Sequence, residues 1–166
     1  KKCSGNLSDS KYTEYSRVIL AITSIGKNPA NVAGYNLLIP LGDYEKTIYQ
    51  GINGSVWALL ALDSNGYEIP KNPNAKIQAT RELYINHILE NQVPGGGWAF
   101  FGDTADPDIT GMALQALSKY QDNAEVKSAI EKALAVMSEN QTARGGFSSC
   151  RMEKPESCVQ ITVTLC

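Results

Sequence analysis

Apolar positions along this chain recur every three or four residues, in blocks of two kinds. Blocks of the first kind are apolar on one side only. Tyr15, Val18, Ile19, Ile22 and Ile25 mark one such stripe; Ser10 is placed to cap it, and Gly26 ends it in the left-handed conformation that glycine adopts without a side-chain penalty. Residues 75–91 repeat the pattern, with Ile77, Leu83, Tyr84, Ile88 and Leu89 inward, and residues 124–140 repeat it again. Blocks of the second kind are apolar on nearly every side. Residues 56–62, closed by Asn65-Gly66, and residues 108–120 are of this type, and residues 156–166 begin another. Such helices are expected to be buried all round. Between the first two blocks, residues 27–43 predict a short broken helical piece at 35–38, stopped before Pro40.

No stretch sustains a period of two, and no Asn-Gly turn joins β-branched runs, so the pattern predicts an all-α protein. The blocks also repeat. Gln92-x-x-x-Gly96-x-Trp98 returns 49 residues later as Gln141-x-x-x-Gly145-x-Phe147. Ala61-Leu62 aligns with Ala116-Leu117 and, less cleanly, with Ala21-Ile22. Each unit is an amphipathic helix, a glycine-aromatic turn and an apolar helix. Units that leave an apolar face uncovered stack side by side. An inner ring of apolar helices inside amphipathic ones is an α/α toroid. The units fall roughly at 10–50, 51–98, 99–147 and an incomplete 148–166, in one domain over 1–166. Six such units would need roughly 280 residues, so the expectation is a partial ring of three to four helical hairpins. An open arc is expected to self-associate or to be completed by a further segment.

Composition changes little. The chain is 43% hydrophobic and 19% charged, with a net charge of -2, so it carries no electrostatic footprint for nucleic acid. No apolar run approaches the roughly 20 residues of a membrane span. No signal peptide opens the chain; an exported form would carry it upstream or have lost it. Cys3, Cys150, Cys158 and Cys166 show no Cys-x-x-Cys spacing. Cys158 and Cys166, on one predicted helix, stand roughly 12 Å apart and do not pair. Cys150 with Cys158, Cys3 with one of the other three, and plain buried thiols all stay open.

The motif from Lys132 through Gln141, Gly145 and Phe147, with Gln92, Gly96 and Trp98 as a second copy, resembles the Gln-Trp repeat of squalene/oxidosqualene cyclases and protein prenyltransferase β-subunits. Residues 16–22 and Gly26-Lys27-Asn28-Pro29 are similar to early repeats of prenyltransferase-like domains in bacterial secreted or surface proteins. Cobalamin carriers of the transcobalamin type share that toroid. The resemblance implies the toroid fold and a secreted or cell-surface location. It leaves enzyme, carrier and structural roles open, because one fold hosts them all.

Three sets of candidate residues follow. Asp106-Pro107-Asp108-Ile109-Thr110 is similar to the Asp-x-Asp-Asp-Thr of class II terpene cyclases, with Asp108 as the acid and Asp106 and Thr110 beside it. That chemistry needs a carboxyl held protonated by its surroundings. Ile109 replaces the third acidic residue, and a carboxylate at a helix start also caps amides and meets the positive end of the dipole. Trp57, Met112 and Tyr120 are the candidate ligand-facing residues on apolar helices, with Phe100 and Phe101 as further aromatics. Gln92, Gly96, Trp98, Gln141, Gly145 and Phe147 are the structural repeat residues: the aromatic packs on a neighbouring helix and the glutamine ties up backbone groups.

No metal or cofactor is expected. The only histidine, His87, is expected solvated or half-buried on an outer helix without a cysteine nearby, which does not make a zinc site. Cys3-Ser4-Gly5-Asn6 is not the Cys-Gly-Glu-Gln of thioester domains, and the glycines at 95–97 lack the lysine and the preceding strand of a phosphate loop. The expected role is a non-catalytic module that binds a small molecule, peptide or protein at its inner face. A terpene-cyclase-like enzyme and a purely structural repeat are the alternatives.

Overall fold

The computed structural model describes residues 5–143 and 145–147. Cys3, Cys150, Cys158, Cys166 and the apolar block at 156–166 lie outside them. Among the described residues the protein is all-α, with six α-helices: α1 Thr13–Ser24, α2 Tyr44–Ile48, α3 Ile52–Asp63, α4 Arg81–Glu90, α5 Pro107–Leu117 and α6 Ala124–Glu139. Contacts divide the chain into two units, Lys1–His87 and Ile88–Cys166, and the division falls within α4.

In the first unit, three contacts establish that α1 and α3 run parallel. The Thr13 amide and hydroxyl both donate to Gln50 Oε1 at 3.1 Å, just before α3 begins. One turn on, the Arg17 guanidinium lies over Trp57. At the far end Thr23 Oγ1 lies 2.9 Å from the Tyr67 hydroxyl, just past the end of α3. Helix α4 returns antiparallel to α3. Arg81, its first residue, donates to Asp63 Oδ1 at 2.9 Å and to the Tyr67 carbonyl at 2.8 Å, while His87 near its end meets Ser55 near the start of α3. The Arg81 guanidinium thus ties the start of α4 to the side chain that ends α3 and to the loop just beyond it. Ile19, Leu41, Val56, Leu59, Leu62 and Tyr84 are fully buried in this unit. Helix α2 lies so close to α3 that a methyl group at Gly54 would overlap the Thr47 carbonyl.

The expectation that α3 is buried all round is corrected: Asn53, Trp57 and Leu60, spaced four and three apart, form a partly open stripe. In the second unit, α5 and α6 form a hairpin around Trp98, Ala113, Leu117, Val126 and Ala133, all buried. Helix α5 is likewise closed on one side only, with Met112 half-buried and Asp108 and Gln115 exposed.

Several boundaries differ from the sequence pattern. Ser10 does not cap α1. Ser8 accepts the Lys11 amide at 2.9 Å, and Tyr12 precedes the helix without a side-chain cap. The helical piece expected at 35–38 is a 3-10 turn at Ile39–Gly42 that contains Pro40, whose missing N–H costs nothing at the start of a turn. The short α2 that follows, capped by Asp43 through the Lys46 amide at 3.1 Å, was not visible in the periodicity. Helix α4 starts at Arg81, not at 75. The residues before it pair instead with the chain around the start of α2: the Tyr44 amide donates to Ile77 O at 3.1 Å and the Ala79 amide to Gly42 O at 2.9 Å. Ile77 is therefore exposed rather than inward. Gly26 and Gly66 do end their helices at φ of +68° and +62°.

Candidate functional site

The repeated turn makes the same two backbone hydrogen bonds in both of its described copies. The Val93 amide donates to Gly97 O at 3.0 Å and the Gly96 amide to Val93 O at 3.0 Å. Forty-nine residues on, the Thr142 amide donates to Gly146 O at 2.7 Å and the Gly145 amide to Thr142 O at 2.8 Å. Gly96, at φ +114°, sits so near α6 that an added Cβ would lie 2.8 Å from the Lys132 carbonyl. Trp98 is completely buried and donates its indole N–H to Ile88 O at 2.7 Å. Gln92 reaches across to Ala129 O at 2.9 Å, while Gln141 closes on its own turn at Gly145 O, 3.0 Å away. Phe147 is half-buried and pairs with Gln141 across that second turn.

The acidic motif resolves into different tasks. Asp106 is the residue before α5, and its Oδ1 accepts the amides of Asp108 at 2.9 Å and Ile109 at 3.2 Å. The cap is therefore Asp106, not Asp108. Pro107 fills the first helical position, where no donor is needed. Asp108 is exposed in the first turn of α5. A carboxyl that delivers its proton to an alkene needs an enclosed, apolar setting, and the exposed Asp108 has none. Thr110 is fully buried, and its hydroxyl bonds both backbone groups of Trp98. The three residues that a cyclase would use together are a cap, a surface carboxylate and a backbone clamp.

Ser55 Oγ and His87 Nδ1 lie 2.9 Å apart, the spacing of a nucleophile and its base. Ser55 is completely buried, so the pair joins α3 to α4 and is closed to a substrate. His87 is half-buried, with the Tyr44 ring edge-on 6.4 Å away. Among the described residues, no three His, Cys, Asp or Glu side chains converge as metal ligands, and no helix is long and apolar enough to cross a membrane.

Of the ligand-facing candidates, Trp57, Met112 and Tyr120 are all half-buried; Trp57 belongs to the first unit and the other two to the second. Phe100 and Phe101 stand exposed on the loop before α5, their rings edge to face at 4.4 Å. The repeat alignment adds a residue that the motif reading missed. Arg17, Trp57 and Met112 each stand four residues before the aligned alanines Ala21, Ala61 and Ala116, so they occupy one position in three successive units. In the first unit two of them touch: the Arg17 guanidinium carbon lies 5.1 Å from the Trp57 ring centroid. The signal that would have found Arg17 is that alignment, applied to a charged residue instead of an aromatic one.

No protein-family model, curated protein or solved structure matches the chain.

Proposed function

We propose that the chain is an arc of a prenyltransferase- and squalene-cyclase-like α/α toroid from an exported bacterial protein, and that it acts as a non-catalytic binding module. The repeated Gln-Gly-aromatic turn supports the toroid. So does the return of α4 antiparallel to α3, as an outer helix beside an inner one; α1 runs parallel to α3, the course of an inner helix, although its one-sided stripe reads as amphipathic. The observation that carries the choice of binding over catalysis is the employment of the acidic motif. Asp106 and Thr110 are spent on backbone groups and Asp108 faces outward, whereas the stripe through Asn53, Trp57 and Leu60 stays partly open. Half-open apolar surface on an otherwise buried helix is where a ligand or partner gains the most from contact.

A neutral apolar probe tests this reading. Nile red is expected to bind saturably, and Trp57→Ala is expected to weaken that binding without loss of helical circular dichroism. Squalene and oxidosqualene are expected to pass through unchanged. Cyclised product that disappears in Asp108→Asn would replace the reading with acid catalysis. Nile red binding that ignores Trp57→Ala would remove the stripe from consideration.

A further inference from the structure

The stripe of α1 and α3 has a chemical character that narrows what it would hold, an inference that rests on the binding reading above. The Arg17 guanidinium, 5.1 Å from the Trp57 centroid, is a planar, permanently charged fork placed over the indole ring. The same placement covers a ring face that would otherwise attract a ligand cation. Arg17 is exposed, and among the described residues no carboxylate lies within 4.0 Å of it; the ion pairs join Lys76 to Glu45 and Arg81 to Asp63. Such a fork matches the two oxygens of a carboxylate.

A second, independent observation lies on the same two helices. Among the described residues, two buried polar side-chain atoms lack a hydrogen-bond partner, Ser16 Oγ and Asn53 Oδ1. Ser16 is the chain neighbour of Arg17, and Asn53 stands one turn before Trp57 on the open stripe. Folded proteins leave few such groups, and each calls for an account. Asn53 shares the open stripe with Trp57, so hydrogen-bonding capacity that the fold does not use lies on the helix that carries the indole ring, while Ser16 on α1 is turned into the core. Leu20 and Leu60, each one residue before the aligned alanines and both half-buried, supply apolar surface farther along the same pair of helices.

We infer that the Arg17–Trp57 pair is the recognition point for a carboxylate-bearing ligand. The carboxylate takes the guanidinium edge, and the ligand's apolar body lies along Leu20 and Leu60. Cationic ligands are disfavoured by Arg17 itself.

The test titrates the full chain, at constant ionic strength, with benzoate, benzylammonium and benzyl alcohol, following the amide resonances of α1 and α3. Benzoate is expected to bind saturably and to shift residues near 17 and 57, with benzylammonium silent. Arg17→Gln is expected to weaken benzoate by about tenfold or more, the loss of a charge-assisted pair of bonds, and Arg17→Lys to restore part of it. Because Arg17 is exposed, both variants are expected to keep the wild-type circular dichroism. Benzyl alcohol or benzylammonium binding as well as benzoate would overturn the carboxylate assignment while Nile red still reports the stripe. Benzoate binding unchanged in Arg17→Gln, or no response to any of the three, would overturn it equally. Nile red binding that is indifferent to Trp57→Ala would instead mark the failure of the underlying reading.

Discussion

The Thr110 hydroxyl brackets Trp98. It accepts the Trp98 amide at 2.9 Å and donates to the Trp98 carbonyl at 3.0 Å, so one side chain satisfies both backbone groups of a fully buried residue. A turn that leads a tryptophan into a core leaves its peptide groups away from water, where an unpaired group is costly. The first turn of α5 supplies the missing partner. The Asp106 amide adds a second bond to the Trp98 carbonyl at 2.8 Å.

Thr110→Val keeps the shape and removes both bonds. It is expected to destabilise the fold by roughly 1–3 kcal/mol, the cost of stranding the buried Trp98 amide, because the Asp106 amide still pairs the carbonyl. Thr110→Ser keeps the hydroxyl and loses one methyl, at about 1 kcal/mol. Urea unfolding followed by Trp98 fluorescence separates them. If the serine variant proved the weaker of the two, methyl packing rather than the bracket would hold the turn.

Neighbouring glycines of the first turn should respond unequally. Gly95 has φ +87° with open space around its Cβ position, so Gly95→Ala carries only backbone strain, about 1 kcal/mol. Gly96 has φ +114° and meets the Lys132 carbonyl, so Gly96→Ala adds a clash with backbone and should cost about 3 kcal/mol. Thermal melts of the two variants side by side suffice. Equal losses would mean that α6 yields to the added methyl.

The two aspartates flanking Pro107 should part company. Asp106→Ala removes a cap that accepts two amides and is expected to cost about 1 kcal/mol. Asp108→Asn removes an exposed charge from the first turn and should stay within about 0.5 kcal/mol. The measurement is equilibrium unfolding of both at neutral pH. A larger loss in the Asp108 variant would reverse the assignment of the cap.

Burial raises the Tyr84 phenol well above its ordinary value of 10.0, and its hydroxyl donates to Leu41 O at 2.7 Å. Above that ordinary value the unfolded chain gives up the proton while the folded protein keeps it. The folded state then binds more protons, so stability falls as pH rises. The decline should approach about 1.4 kcal/mol per pH unit from this residue alone. Tyr84→Phe is expected to be less stable at about pH 8, by the lost bond, yet to decline less steeply between about pH 10 and 11. Tyr12, also raised by burial, remains in both proteins and cancels in the comparison. Parallel slopes would show that Tyr84 titrates alike folded and unfolded.

What could be read from the chain by itself was whatever a few consecutive residues decide. The all-α character, the stops at Gly26 and Gly66, and the turn shared by Gln92–Trp98 and Gln141–Phe147 all rest on periodicity, positive φ or bonds spanning four residues. Such signals are printed in local sequence. The tertiary structure decided the rest. Residues 75–80 had helical periodicity, but their backbone pairs with Gly42 and Tyr44, more than thirty positions earlier, so α4 waits until Arg81. Thr110 read as part of a catalytic motif because nothing nearby announces that its hydroxyl will meet the Trp98 backbone. Arg17 carries no signal of its own in the sequence; the parallel packing of α1 and α3 sets it on Trp57, forty residues away. A partner that far along the chain leaves no mark on local periodicity, and only the packed helices bring the two side chains together.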